Sequence, residues 1–159
     1  MTTANLNERI EKLQEEIGLP MEFFWKLLKE DDWSFVIKLH ALVEAIVNHL
    51  IIKKIGLSQL GKIIPKLQLN NDKSGRLAFL EALNLLNDDQ RSFIKHLSEI
   101  RNDFVHDIKK VNLTLKSYFE QSSKERYKKT FGNSKIKYEK RTLEEIFIEL
   151  PKTAIFITS

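Results

Sequence analysis

The sequence predicts an all-α protein, and three observations carry that expectation. Glycine and proline are scarce, five and three in 159 residues, so few turns can be written into the chain. Apolar residues return every third or fourth position rather than every second. Asn, Asp or Ser stands just ahead of most of these stretches, where a helix needs an acceptor for its first free N–H groups. The expected architecture is an antiparallel bundle of four to five core helices, with extra N-terminal helices and a basic C-terminal extension.

The elements follow in order. Leu6, Ile10, Leu13 and Ile17 share one helical face, Asn5 and Glu8 form a candidate cap pair, and "GLP" ends the element. A short helix through "MEFFWKLLK" brings Phe23, Phe24 and Trp25 to dock on the body. Asp31 or Asp32 then caps the strongest element, "WSFVIKLHALVEAIVNHLIIKKIG". Its stripe is Val36, Leu39, Val43, Ile46, Val47 and Leu50. Lys53 and Lys54 suit the negative end of the helix dipole, and Gly56 stops it. "LSQLGKIIPKL" reads as a weaker helix that Pro65 must kink or end. "QLNNDKSG" is a loop, Ser74 caps "GRLAFLEALNLL", and "NDD" breaks it. Asp88 or Asp89 starts "DQRSFIKHLSEIRNDFVHD", whose apolar positions again follow the 3.6 period. "NLTLKSYFEQSS" continues as helix. The basic stretch with "FGNS" reads as a loop or short hairpin, and "RTLEEIFIELPKTAIFITS" begins as helix before Pro151 interrupts it.

At this length one domain is the expectation, divided into an N-terminal helical extension (1–30), the bundle (31–121) and a basic loop with a C-terminal element packed on it (122–159). The chain has no Cys, which excludes a disulfide scaffold, a Cys-ligated zinc site and a thiol nucleophile. The opening "MTTANLNERIEKLQEEIG" lacks the basic and apolar regions of a secretory signal. No uninterrupted apolar stretch of membrane-spanning length is evident. The expectation is a cytoplasmic protein with no membrane partner. The charge is uneven. Lys124 to Arg141 carries eight Lys or Arg against two Glu, while the whole chain is only +4, so the remainder is slightly acidic. Such a segment attracts polyanions. Its Lys124, Arg126, Lys128, Lys129, Lys135 and Lys137 are interleaved with Tyr127, Phe131 and Tyr138, a pattern that can neutralise phosphates and stack bases. The plainer reading is a solvated loop with its aromatics tucked onto the bundle.

The chemistry-bearing stretch is "EIRNDFVHDI", Glu99 to Ile108. On a straight helix Arg101 and His106 point about 140° apart, so they converge only through the reach of the arginine or a bend at the helix end. Asn102 and His106 are one turn apart and share a face, so Asn102 can orient the imidazole. Arginine binds phosphate with parallel hydrogen bonds and stabilises the charge that builds as phosphorus is attacked. Histidine moves the proton. RNA supplies its own 2′-hydroxyl nucleophile, so this chemistry needs neither metal nor cofactor. On residue physics alone the alternative stands: Arg101 pairs with Glu99, Asp103 or a neighbouring helix, and His106 merely ends its own.

"LSEIRNDFVHDI" resembles the signature of the HEPN superfamily: Arg, a polar residue, three variable residues, then His. Arg101, Asn102 and His106 meet it. The order of elements before it is also similar to that of the mannitol-repressor-like branch and of several uncharacterised HEPN-like families, and the likeness runs roughly from Trp33 to Phe119. The resemblance implies a four-to-five-helix bundle acting as a homodimer, with two Arg–His motifs facing each other and RNA cut without a metal. Arg101 would then hold the phosphate, His106 would be the acid or base, and Asn102 would support the pair. A separately encoded antitoxin or regulatory protein would be its partner. The same resemblance allows a non-enzymatic transcriptional or post-transcriptional regulator, and a plain helical interaction module is the third reading.

Glu44 and Asp103 are candidate supporting residues. Glu44, at the edge of the apolar stripe, could answer the charge of Arg101 from the neighbouring helix. His40 and Glu44, one turn apart, could be half of a metal site, but the composition offers no partner motif, and a buried polar pair is the preferred reading. His49 and His96 have no company in the sequence and read as surface or helix-edge residues.

Overall fold

The computed structural model describes residues 3–27, 29–115 and 117–118. These are helical, with no strand among them: α1 (Thr3–Glu16), α2 (Phe23–Leu27), α3 (Asp32–Ile55), α4 (Arg76–Ala82) and α5 (Asp88–His106). Two 3₁₀ turns, Ser58–Lys62 and Ile64–Lys66, join α3 to α4, and a third, Ile108–Asn112, follows α5.

α3 is the centre of the core. Phe35, Val36, Leu39, Val43, Ile46, Val47, Leu50 and Ile51 are buried along it. Leu77 and Leu80 of α4 and Ile94, Leu97, Ile100 and Phe104 of α5 belong to the same buried cluster, as do Phe24 and Leu27 of α2. By length and composition alone α3 could cross a membrane; more than half of its apolar window is buried within the fold. α3 and α5 run antiparallel. Trp33 Nε1 donates to the Phe104 carbonyl at 3.1 Å, and further along α3 His40 pairs with Ser98 at 3.1 Å. Advancing along one helix therefore retreats along the other.

The helix ends show where local chemistry decided and where the expectations need correction. Asp31, of the two candidates, caps α3 by accepting from the Ser34 N–H at 3.0 Å. Gly56 ends α3 in the left-handed conformation. α5 begins at Asp88, one of the two residues expected to start it, and Asn87 is its cap. Asn87 and Gln90 form a reciprocal capping box, which satisfies two helix-start donors at once. α4 is shorter than the apolar run implied, and Ser74 is not its cap. It begins at Arg76, with Gly75 at the cap position and no side-chain cap bond, and ends at Ala82 because Asn84 turns left-handed. Leu85 N–H then reaches back to the Leu80 carbonyl and Asn84 N–H to Glu81. α1 begins at Thr3, so Asn5 lies inside its first turn rather than ahead of it. The Pro65 region is not one kinked helix but two short 3₁₀ turns, since proline removes the donor that a continuous α-helix needs there. After α5 the chain does not continue straight as helix. Asp107 adopts extended backbone and caps the 3₁₀ turn through Lys109 N–H.

Candidate functional site

Near its C-terminal end α5 carries the three residues of the Arg–Asn–His motif. Arg101 is half-buried, and its Nη1 donates to Asn102 Oδ1 at 3.1 Å. Asn102 is thus engaged with its neighbour; no bond among the described residues links it to the imidazole it was expected to orient. His106 is the last residue of α5 and is exposed. No contact among the described residues joins Arg101 to His106, as the angular separation on a straight helix dictates. His106 faces solvent beside exposed Val105, Ile108 and Lys109 and half-buried Lys110.

The interior holds a second polar group. His40, Glu44 and Asn48 recur every fourth residue along α3 and so share a face. Arg76, the first residue of α4, points into them and is only 4% exposed. Its Nη1 donates to Asn48 Oδ1 at 3.0 Å and its Nη2 to Glu44 Oε1, while its Nε is buried without a partner. Gly75 sets that entry. A Cβ there would lie 2.3 Å from the Gln68 carbonyl oxygen, and Arg76 N–H bonds to the same carbonyl at 2.9 Å. Glu44 therefore answers Arg76 rather than Arg101. Its other oxygen, Oε2, lies 3.6 Å from His40 Nδ1.

His40 is buried between these groups. Ser98 Oγ donates to the Ile94 carbonyl at 2.9 Å. A hydroxyl has one proton, so Ser98 accepts from His40 Nε2–H at 3.1 Å. Burial pushes His40 below the ordinary histidine value; Glu44 pulls the other way, and the charges of Arg101 and Arg76 add to the depression. Glu44, His40 and Ser98 have the order of a hydrolytic triad but not its chemistry. Ser98 is 3% exposed, and its proton is already directed to a backbone carbonyl.

The remaining candidates are plain. Asp103 accepts from the Tyr118 hydroxyl, and that ring packs edge-on against Phe104 at 5.4 Å, so Asp103 anchors the chain beyond α5. His49 is not alone, as the sequence suggested. It meets Glu16 Oε2 at 3.0 Å, and Lys53 meets the same oxygen at 3.2 Å, tying α1 to α3. No cluster of three metal-ligating side chains occurs among the described residues. An open groove of about 640 Å³ lies between Asp31–Ser34 and Val111–Thr114, but Asp31 is occupied as a cap and Asp32 accepts from the Leu115 N–H at 2.7 Å. Lys124, Arg126, Lys128, Lys129, Lys135 and Lys137 lie outside the described residues.

Sequence reasoning missed Arg76. Its signal was the four-residue spacing of His40, Glu44 and Asn48 on an otherwise apolar helix, which requires a polar counterpart from another element. No family model matches the chain, and neither a curated protein nor a solved structure matches it.

Proposed function

We propose that the chain is a HEPN-like, RNA-acting protein whose working surface is the C-terminal end of α5, with its helices arranged as a HEPN-like antiparallel bundle. The observation that carries this reading is the exposure of His106 beside Lys109 and Lys110, little more than one helical turn beyond Arg101. An imidazole free of the core is available to a substrate, and the lysines attract its phosphates. In the proposed reaction His106 takes the proton from the ribose 2′-hydroxyl. The 2′-oxygen attacks the adjacent phosphorus, the bond from phosphorus to the 5′-oxygen of the next nucleotide breaks, that oxygen takes a proton from water, and His106 returns its proton to water. The products are a 2′,3′-cyclic phosphate and a 5′-hydroxyl end. A guanidinium, Arg101 of the same chain or of a second copy in a homodimer, stabilises the extra charge on the phosphoryl oxygens. No metal enters this scheme.

A second reading rests on a different observation. Val105, Ile108 and Val111 are exposed, Ile108 at 74%, and their spacing places a small apolar patch at the same end of the molecule. That favours a regulator working through protein contacts.

RNA cleavage in EDTA, comparing the native protein with His106→Ala at matched circular dichroism, tests the first reading. Metal-free cleavage that disappears in the variant supports it. Absence of cleavage across several RNAs moves the weight to the regulator. Light scattering on the same samples reports the proposed homodimer.

A further inference from the structure

Between Glu44 and Asp72 the chain has no Asp or Glu, yet it carries Lys53, Lys54, Lys62 and Lys66. Lys53 is taken by Glu16. Lys54, Lys62 and Lys66 are exposed, and none of them pairs with a carboxylate among the described residues. Their charges therefore add to one another at the surface.

Apolar side chains stand among these lysines. Beyond Gly56 a run of short-range bonds carries the chain through both 3₁₀ turns: Leu60 N–H to the Leu57 carbonyl at 3.1 Å, Ile63 to Leu60 at 2.9 Å and Lys66 to Ile63 at 3.0 Å. At three residues per turn, Leu57, Leu60, Ile63 and Lys66 line up in one row. The neighbouring row, Gly61 and Ile64, is the one turned to the body. Ile64 is buried, and a Cβ on Gly61 would lie 3.8 Å from Ile52 Cδ1 of α3. The Leu57 row is left at the rim. Leu60 is half-buried against the core, whereas Leu57 is 53% exposed and Ile63 55%. Lys66 ends that row, Lys62 precedes Ile63, and Lys54 lies in the last turn of α3.

The residue types decide between occupants. A protein partner is gripped by aromatic or arginine anchors, and single-stranded nucleic acid by stacking rings; residues 54–67 contain no aromatic and no Arg. Aliphatic tips among lysines suit an anionic bilayer, where apolar side chains enter the headgroup boundary and ammonium groups meet the negative headgroups. We propose that the corner from Lys54 to Lys66 is a peripheral docking surface for an anionic phospholipid bilayer: Leu57 and Ile63 enter the headgroup boundary, and Lys54, Lys62 and Lys66 lie against the anionic headgroups. The expectation of no membrane partner rested on the lack of a spanning stretch; contact with one face of a bilayer needs only a short amphipathic surface. This proposal does not draw on the RNA-acting reading.

The test is co-sedimentation of the full chain with vesicles of phosphatidylcholine and phosphatidylserine in equal parts, against vesicles of phosphatidylcholine alone. The expected result is partition onto the anionic vesicles, weakened by raised salt, and far less onto the neutral ones. Lys54→Gln, Lys62→Gln and Lys66→Gln together should weaken it about a hundredfold, at about fivefold for each lysine near such a surface. Leu57→Ser with Ile63→Ser, which keeps every charge, should weaken it about tenfold. All five side chains are exposed, so these variants should match the native circular dichroism. Lys128→Gln, Lys129→Gln and Lys135→Gln together remove the same charge from the basic stretch and serve as the control. An equal loss in that control overturns the proposal, because attraction is then a matter of total charge. Native-like binding by the Leu57→Ser, Ile63→Ser variant overturns it as well. So does failure of the native chain to bind anionic vesicles; binding instead of polyglutamate or a short single-stranded RNA, lost with the three lysines, then assigns the corner to an acidic protein or a nucleic acid.

Discussion

Neutralising Glu44 should destabilise the protein more than removing Arg76, although the two form one ion pair. The Arg76 side chain is 5% exposed and that of Glu44 36%. Glu44→Gln leaves a guanidinium that cannot lose its proton, buried, with Asn48 and an uncharged amide for company. Breaking a buried pair from this side costs about 3–5 kcal/mol, and the open edge at Glu44 favours the lower end of that range. Arg76→Met leaves a carboxylate that can turn into water and fills the same space with an apolar chain. It also removes the partnerless Nε and a cation from the positive end of α4. That change should stay within about 1 kcal/mol of the native protein. Urea unfolding followed by helical circular dichroism at neutral pH measures both. Equal losses, or a larger loss for Arg76→Met, would refute the reasoning and mean that Glu44 is held by something other than Arg76.

Three further outcomes can be checked by the same unfolding measurement. Gly75→Ala should lose about 1–3 kcal/mol, because its Cβ meets backbone at the Gln68 carbonyl rather than a movable side chain; a neutral result would mean that the 68–71 loop is free to shift. Trp33→Phe should lose about 1 kcal/mol by leaving the Phe104 carbonyl without its donor. The Ser34 hydroxyl and N–H hold the Asp31 carboxyl below its ordinary 3.8. Its contribution is therefore present above that value and lost as the pH falls through the folded value. Asp31→Asn, which keeps a cap acceptor, should match the native midpoint at neutral pH and fall less steeply below about pH 4.

The fold class and the two long helices were readable because both signals are local. An apolar stripe of period 3.6 and a flanking Asp, Asn or Gly act within a turn or two of themselves. Errors came where two local signals competed. "NDD" offers three caps, and only Asn87 has Gln90 at the spacing that returns the bond. "GRLAFLEALNLL" keeps its apolar pattern past Ala82, yet Asn84 accepts a left-handed backbone and the helix stops. The polar interior was not readable, because it depends on which residues face α3. The spacing of His40, Glu44 and Asn48 announced a polar face, but nothing local to "SGRLAF" says that Arg76 is its counterpart. That depends on Gly75 lying against the 68–71 loop.

The motif "RNDFVH" illustrates the same division with more consequence. Spacing on a helix separates Arg101 and His106, and no hydrogen bond joins them among the described residues: Arg101 is half-buried and His106 is exposed. Among the described residues Glu44 is bonded to Arg76 and not to Arg101. Arg101 therefore has a neutral partner, Asn102, and no carboxylate of its own among the described residues. Among the described residues no ion pair anchors this guanidinium. Holding it by a neutral amide rather than an ion pair keeps it available. If Asn102 were Asp, the same bond would become a salt bridge, and Arg101 would no longer be free to meet an external phosphate. On the proposed RNA-acting reading, Asn102→Asp should accordingly leave stability within about 1 kcal/mol and weaken binding of a short single-stranded RNA at low salt. Unchanged affinity would show that Arg101 takes no part in that binding.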